Sequence, residues 1–359
     1  MSTGNSSAVE TASMEEVIDN VRLACLIIYC VIFIVGILGN GLVIYVTGCR
    51  MKTTVNSVWF LNLALADFLF LSFLIFTMIS LPHGHQWYFG RFMCKFNSLV
   101  GVVNMFASIF ILTAISLDRC LSIWVVVWAQ NKRTVRKAQL ICVIVWVAAV
   151  VCSIPFATFR DITEDEDQTY CIYSGSNEQK LTLFIFRLVV GFLIPFLIIS
   201  VSYVAIGVRA GRLQRTKKRK PCRIISSVIL AFFFCWLPFH VFQFLELKSS
   251  QNHDLATTVQ IGSPLVVSLA FMNSCLNPIL YVFMCDEFQK KLKQSICFVL
   301  ESALAEDYHS FMSSRSLTSH FSRMSRKSDS SAGLERKNTS TSLLESKVVN
   351  IDRETNITD

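Results

Sequence analysis

Charge is the scarcest thing in this chain. Of 359 residues, only 16% are Asp, Glu, Lys or Arg, against roughly 25% in a typical soluble domain. Hydrophobic residues make up 53% and mean hydropathy is +0.52, more apolar surface than a soluble protein of this length would keep from water. Glycine and proline are also few, at 14 and 7, which excludes collagen-like and Pro/Gly-rich disordered chains. The first 22 residues lack any apolar run, so no cleavable signal peptide is expected and the first span would act as an uncleaved anchor. No inverted repeat and no broken helix at mid-membrane marks a transporter. At ~20 residues per crossing, seven spans need ~140 residues, and a chain this apolar supplies them.

Seven apolar stretches run approximately over Leu23–Gly48, Ser57–Leu81, Phe92–Val127, Ala138–Phe159, Leu181–Val208, Ile224–Leu245 and Ala256–Met284. The expected organisation is an outer tail over 1–22, a bundle over 23–284, an amphipathic surface helix over 285–300 and a disordered tail over 301–359. Loop charges orient the bundle. Arg50 and Lys52 follow the first span, Lys132, Arg133, Arg136 and Lys137 the third, and the basic run from Arg209 to Arg223 the fifth. The opposite side is acidic, with Glu10, Glu15, Glu16 and Asp19 in the tail and six acids against two bases from Arg160 to Lys180. The positive-inside rule puts the N-terminus outside and the C-terminus in the cytoplasm of a multi-pass plasma-membrane protein. The formal net charge of +8 is then a topology signal, and no nucleic-acid partner is expected, because spans flank the basic cluster on both sides.

Of the 13 cysteines, only Cys94 and Cys171 fall on the outer side, where an oxidising exterior makes them the natural disulfide pair. Asn5-Ser6-Ser7 is a glycosylation acceptor in the outer tail. Asp67 lies mid-span with Asn40, Asn104, Ser108, Asn273 and Asn277 as polar groups that could join it. One carboxylate among neutral oxygens suits a bound sodium ion, and an interhelical hydrogen-bonded clamp is the alternative. Asp118 and Arg119 stand at the cytoplasmic end of the third span, where adjacent opposite charges can pair. Trp236 beside Pro238 places a bulky ring at a kink, and prolines at 155, 195 and 278 lie deep in or near the end of other spans.

These residues, in this order on seven spans, resemble the rhodopsin-like (class A) G-protein-coupled receptors. Gly39-Asn40, Leu63 through Asp67, Asp118-Arg119-Cys120, Trp146, Pro195 with Tyr203, Cys235-Trp236-Leu237-Pro238 and Asn277-Pro278-Ile279-Leu280-Tyr281 carry the likeness. Cys120 departs from the tyrosine usual in the family. With Val127-Trp128-Ala129-Gln130-Asn131-Lys132-Arg133-Thr134-Val135 it resembles the chemoattractant peptide receptors, and within them the chemerin receptors. The resemblance implies an all-α membrane protein: a seven-transmembrane helix bundle with a short amphipathic eighth helix and disordered tails. It implies a receptor and not an enzyme, with no catalytic residue, no metal ligands and no cofactor beyond a sodium ion at Asp67. Asp118, Arg119, Tyr203, Trp236, Pro238, Pro278 and Tyr281 would form its activation switch, and a heterotrimeric G protein of the inhibitory class its partner.

Arg187 sits eight residues before Pro195, about two helical turns, so it points into the outer half of the bundle. Arg160 can reach the same cavity, with Glu246 as a neighbouring acid. Two guanidinium forks suit a carboxylate, and in the resembling receptors matching arginines engage a peptide C-terminus. Val102 and Leu183 stand where the formyl-peptide branch has an acid and a second arginine. The acidic outer surface would attract a basic, chemerin-like protein ligand; an anaphylatoxin, a lipid mediator and a scavenging receptor without G-protein signalling are the alternatives. From Asp286 to Phe298, Phe288, Leu292 and Ile296 share a face suited to membrane lipid, and Cys297 is a palmitoylation site. In the Ser/Thr-rich tail, Ser313, Ser316, Ser319, Ser322, Ser325, Ser328 and Ser331 recur every three residues, a phosphorylation ladder for arrestin.

Overall fold

The computed structural model describes residues 3–165, 168–212, 219–249 and 253–284, together with Lys290 and Gln294. Seven of its helices are long and apolar enough to cross a membrane. They are α1 (Thr3–Tyr45), α2 (Val55–Ser80), α3 (Gly90–Trp124), α5 (Val135–Thr158), the continuous pair α6 (Asn177–Leu188) and α7 (Ile194–Arg212), α8 (Arg219–Ser249) and α9 (His253–Met284); α4 (Val126–Asn131) is a short connector. In lipid a helix satisfies every backbone group within its own segment, and capping closes the ends that face water. Thr54 and Ser57 form a capping box at the start of α2, and Ser176 and Gln179 another at the start of α6.

Helix α3 is the axis of the bundle. Of its most apolar stretch, 67% is buried, against 22–44% in the other six spans. It packs on α2, α5 and α7. Its contact with the fifth span needs Gly191, where an added Cβ would stand 2.9 Å from Met105 Cε and 3.1 Å from Phe106 Cε1. Gly191 also lies in the π-helical turn Val189–Leu193 that joins α6 to α7. Pro195 follows within two residues and offers no N–H to the carbonyl four positions back, which is that of Gly191; the wide turn absorbs the mismatch.

Two features depart from the sequence expectation. The outer tail over 1–22 is not a separate irregular segment, because α1 is helical from Thr3. Its stretch from Asn5 to Val35 contains neither glycine nor proline, so nothing breaks the helix before the bundle. The helical bundle is as expected, and the second departure lies in the loop outside it. The acidic outer loop forms an antiparallel hairpin, β1 (Arg160–Asp165) with β2 (Gln168–Tyr173), in which Arg160 faces Tyr173 and Ile162 faces Cys171. Cys94 and Cys171 are bridged as expected, with Cα atoms 5.7 Å apart. Asp161 reinforces that anchor through Arg91 at 2.7 Å, and the Trp87 amide donates to the Thr169 carbonyl at 2.6 Å. The amphipathic helix over 285–300 apart from Lys290 and Gln294, Cys297, the serine ladder, Glu166 and Asp167 lie outside the described residues, as do the side chains of Asn5 and Tyr281.

A Gly191→Val substitution should force α3 and α7 apart and destabilise the protein by about 1–3 kcal/mol. A thermal melt of the purified protein would show it as a lowered Tm.

Candidate functional site

The outer half of the bundle encloses a cavity of about 590 Å³ whose wall includes Arg160, Tyr173, Arg187, Trp236 and Glu246. Helix α6 carries Arg187 inward two residues before the π-helical turn, and the residue is only 3% exposed. Rings surround its guanidinium: Phe156 at 5.1 Å, Phe184 at 5.3 Å and Phe239 at 5.0 Å. One terminal nitrogen donates to Gln243 Oε1, while Nε has no hydrogen-bond partner among the described residues. Arg187 forms no ion pair with any described residue, Glu246 included. Aromatic faces contribute about 0.5–2 kcal/mol each to a desolvated cation, which offsets only part of the several kcal/mol that burying the charge costs.

Arg160 comes from the outer hairpin. Residue 160 opens β1, and the pairing with Tyr173 sets its guanidinium 4.1 Å from that ring centroid. Tyr173 therefore lies between the two arginines. Burial pushes its phenol pKa up, but Arg187 and then Arg160 outweigh burial and leave it below the usual tyrosine value. Two guanidiniums, each with an Nε that has no partner among the described residues, flank one phenol, with Arg160 over its ring: this is a place for an anion.

Below the cavity floor lies the polar cluster. Asp67 is fully buried and accepts from Asn104 Nδ2 at 3.0 Å and from Asn277 Nδ2 at 2.7 Å, so α2, α3 and α9 meet at one carboxylate. Pro278 leaves the Ser274 carbonyl without its helical donor, and Asn40 Nδ2 supplies one at 2.9 Å while also donating to Gly36 at 2.9 Å. Ser108 Oγ and Asn40 Oδ1 are buried with no partner among the described residues, and Asn273 is buried too. Neutral oxygens beside one carboxylate fit a sodium ion.

At the other end of α3, Asp118 takes Arg133 and not the adjacent Arg119 as its ion-pair partner. Neighbours on a helix point about 100° apart and do not face each other. Arg133 binds the carboxylate with both Nε (2.9 and 3.1 Å) and a terminal nitrogen (2.9 Å). Asn56 Oδ1 accepts from Arg133 at 2.8 Å and from Arg119 at 2.9 Å, so one amide of α2 holds both arginines. Tyr203 packs at the edge of the core. Trp236 reaches the cavity floor between Phe232 and Phe239, with centroids 5.9 and 5.5 Å away. Pro238 follows it inside α8 and Pro278 lies inside α9.

Sequence reasoning missed Tyr173, Gln243 and Asn56. Gln243 stands three residues before Glu246 and shares its helix face, and Tyr173 stands two residues after the bridged Cys171, a same-face position on a strand. Both signals were present in the spacing.

The family model of the seven-transmembrane receptors (rhodopsin family) matches residues 39–281. Among curated proteins, chemerin-like receptor 1 of Bos taurus is 40% identical over 320 residues, covering 83% of this chain and 87% of the relative. The C3a anaphylatoxin chemotactic receptor of Danio rerio is 41% identical over 291 residues, with 80% of each chain covered. Prostaglandin D2 receptor 2 of Mus musculus is 39% identical over 287 residues, covering 76% of this chain and 75% of the relative. With seven membrane-length helices, a bridged outer hairpin and the Asp67 cluster already in place, these matches settle the family: the chain belongs to the rhodopsin family of seven-transmembrane, G-protein-coupled receptors and is a multi-pass membrane receptor, not an enzyme.

Proposed function

We propose that this receptor binds the C-terminal tail of an extracellular chemerin-like peptide or small protein and activates a heterotrimeric G protein of the inhibitory class. The observation that carries this reading is the pair Arg160 and Arg187, which flank Tyr173, with no carboxylate in an ion pair with Arg187 among the described residues. A peptide's terminal carboxylate would take the place of Tyr173 and Gln243 as the acceptor for the two guanidiniums. The acidic hairpin and N-terminal helix favour a basic protein body outside, and the loop charges favour the cavity facing the extracellular medium. The relatives named for chemerin and C3a support a peptide ligand, while the likeness to a prostaglandin D2 receptor gives an acidic lipid mediator as the second reading. The basic loop after α7 matches receptors of inhibitory G proteins only by resemblance. Tail serines for arrestin, Cys297 for palmitate and Asn5 for glycan complete the proposal, and a scavenging receptor remains its rival.

Ligand capture shifts a receptor only through unequal affinity for its two states. In this reading Trp236, in the cavity floor, passes the change to the hinge at Pro238. At the inner end the arrangement of Asp118, Arg133, Asn56 and Arg119 holds the resting state, and its release frees Arg119 for the G protein.

Three outcomes test the proposal. A chemerin C-terminal peptide should lose at least about 100-fold in potency on amidation, and Arg187→Ala should remove the difference between acid and amide; equal potency of the two peptides in a nucleotide-exchange assay would refute the carboxylate clamp. Raising sodium should weaken agonist binding to the native receptor, and Asp67→Asn should make the affinity independent of sodium. Arg133→Ala should raise agonist-free nucleotide exchange about fivefold, as for about 1 kcal/mol removed from the resting arrangement; unchanged basal exchange would show that the ion pair restrains nothing.

A further inference from the structure

Arg22 and His85 line the cavity but take no part in the carboxylate clamp. Arg22 lies on α1, with a terminal nitrogen 3.8 Å from where a Cβ on Gly84 would stand. It pairs with Asp19 at 3.0 Å, and the Asp19 side chain is 73% exposed. Such a pair in water contributes little and is readily exchanged for another anion. His85 is the one non-glycine residue with positive φ among the described residues, at 68°. Residues outside glycine adopt that conformation rarely, and they keep it where the surroundings hold a side chain to a purpose. Here the His85 amide donates to the Ser80 carbonyl at 2.9 Å, and the next residue, Gln86, bridges to Tyr170 of the hairpin. Its ring makes no hydrogen bond to any described residue. Burial, and then the charge of Arg22, lower the His85 pKa, which favours the neutral ring as an N–H donor.

This pair stands across the cavity from Arg160 and Arg187. Helix α1 packs on α2 and α9, whereas α6, which carries Arg187, packs on α8. The rest of the wall carries Phe70, Met105, Phe239 and Phe271, with the uncharged polar Asn97 and Gln260 among them. Three arginines and a histidine thus face Glu246 alone among the carboxylates of the lining. One terminal carboxylate does not use that excess of donors.

We propose that Arg22 and His85 form a second anion subsite, so that the ligand carries two acidic groups joined by an apolar stretch: a terminal carboxylate at Arg160 and Arg187 and an upstream acidic side chain at Arg22 and His85. This inference rests on the carboxylate capture proposed above. The ordered exchange is simple: the upstream carboxylate takes the place of Asp19 on Arg22 and accepts the His85 N–H, while the apolar residues between cover the floor.

The test uses apolar nonapeptides with a free C-terminus, each bearing one Glu at a different upstream position, and their Gln counterparts. Binding is measured to the full-length receptor in lipid nanodiscs. At one or two neighbouring positions Glu should bind about tenfold tighter than Gln, the effect of one charge-assisted contact. That ratio should fall to within about twofold in Arg22→Gln and in His85→Ala. Because each ratio is read within one receptor variant, partial loss of folded receptor cancels. Free-acid peptides that outbind their amides but gain nothing from Glu at any position would overturn the second subsite and leave the clamp standing. A Glu gain that survives both substitutions would do the same. Amides that bind as well as acids would remove the clamp and this inference together.

Discussion

A single carboxylate inside a hydrocarbon-embedded bundle constrains everything around it. Asp67 is costly at mid-membrane, and the bundle offsets that cost with amides drawn from α3 and α9. Those amides are available only if three helices converge at one depth. Pro278 then links the cluster to the first helix, because the carbonyl it strands is the one Asn40 serves. Four helices are thereby fixed in rotation and height by hydrogen bonds that have no competitor in lipid. Small residues let them close: an added Cβ at Gly39 would stand 3.1 Å from Pro278.

Above and below this fixed layer the molecule treats charge in opposite ways. The inner end neutralises it locally, with Arg133 seated on Asp118 and Asn56 shared between two arginines. The cavity leaves it exposed to whatever enters, since rings, an amide and a phenol surround Arg187 without cancelling it. A receptor needs this asymmetry. A satisfied inner end holds one state, and an under-satisfied outer end gives a ligand something to contribute.

Most of the architecture was legible because lipid simplifies the code. Apolar length marks the spans, basic loops mark their direction, and compartment chemistry singles out Cys94 and Cys171. The hairpin was hidden because its strands pair only once Cys171 is pinned to α3 and Asp161 to Arg91; a run of acids such as Glu164–Asp167 reads as solvated loop. The partner of Asp118 was hidden for a different reason. Adjacency in sequence suggests pairing, whereas helix geometry turns neighbours apart and brings in a residue from the next loop. Gln243 and Tyr173 escaped because uncharged polar residues do not stand out against lipid the way Arg187 does. The cysteines of the spans behave as small apolar groups, several of them buried.

The continuity of α1 has one more consequence. Its 43 residues correspond to about 65 Å at 1.5 Å per residue, roughly twice the ~30 Å hydrocarbon thickness of a bilayer. Glu15, Glu16 and Asp19 are exposed on the stretch that leads to Arg22 at the cavity. A helix presents such charges at set heights and angles, which a flexible tail does not. If the ligand is the basic protein proposed above, it would be read in sequence, like a key drawn along a ruler: first matched for the spacing of its own charges, and only then admitted by its tip.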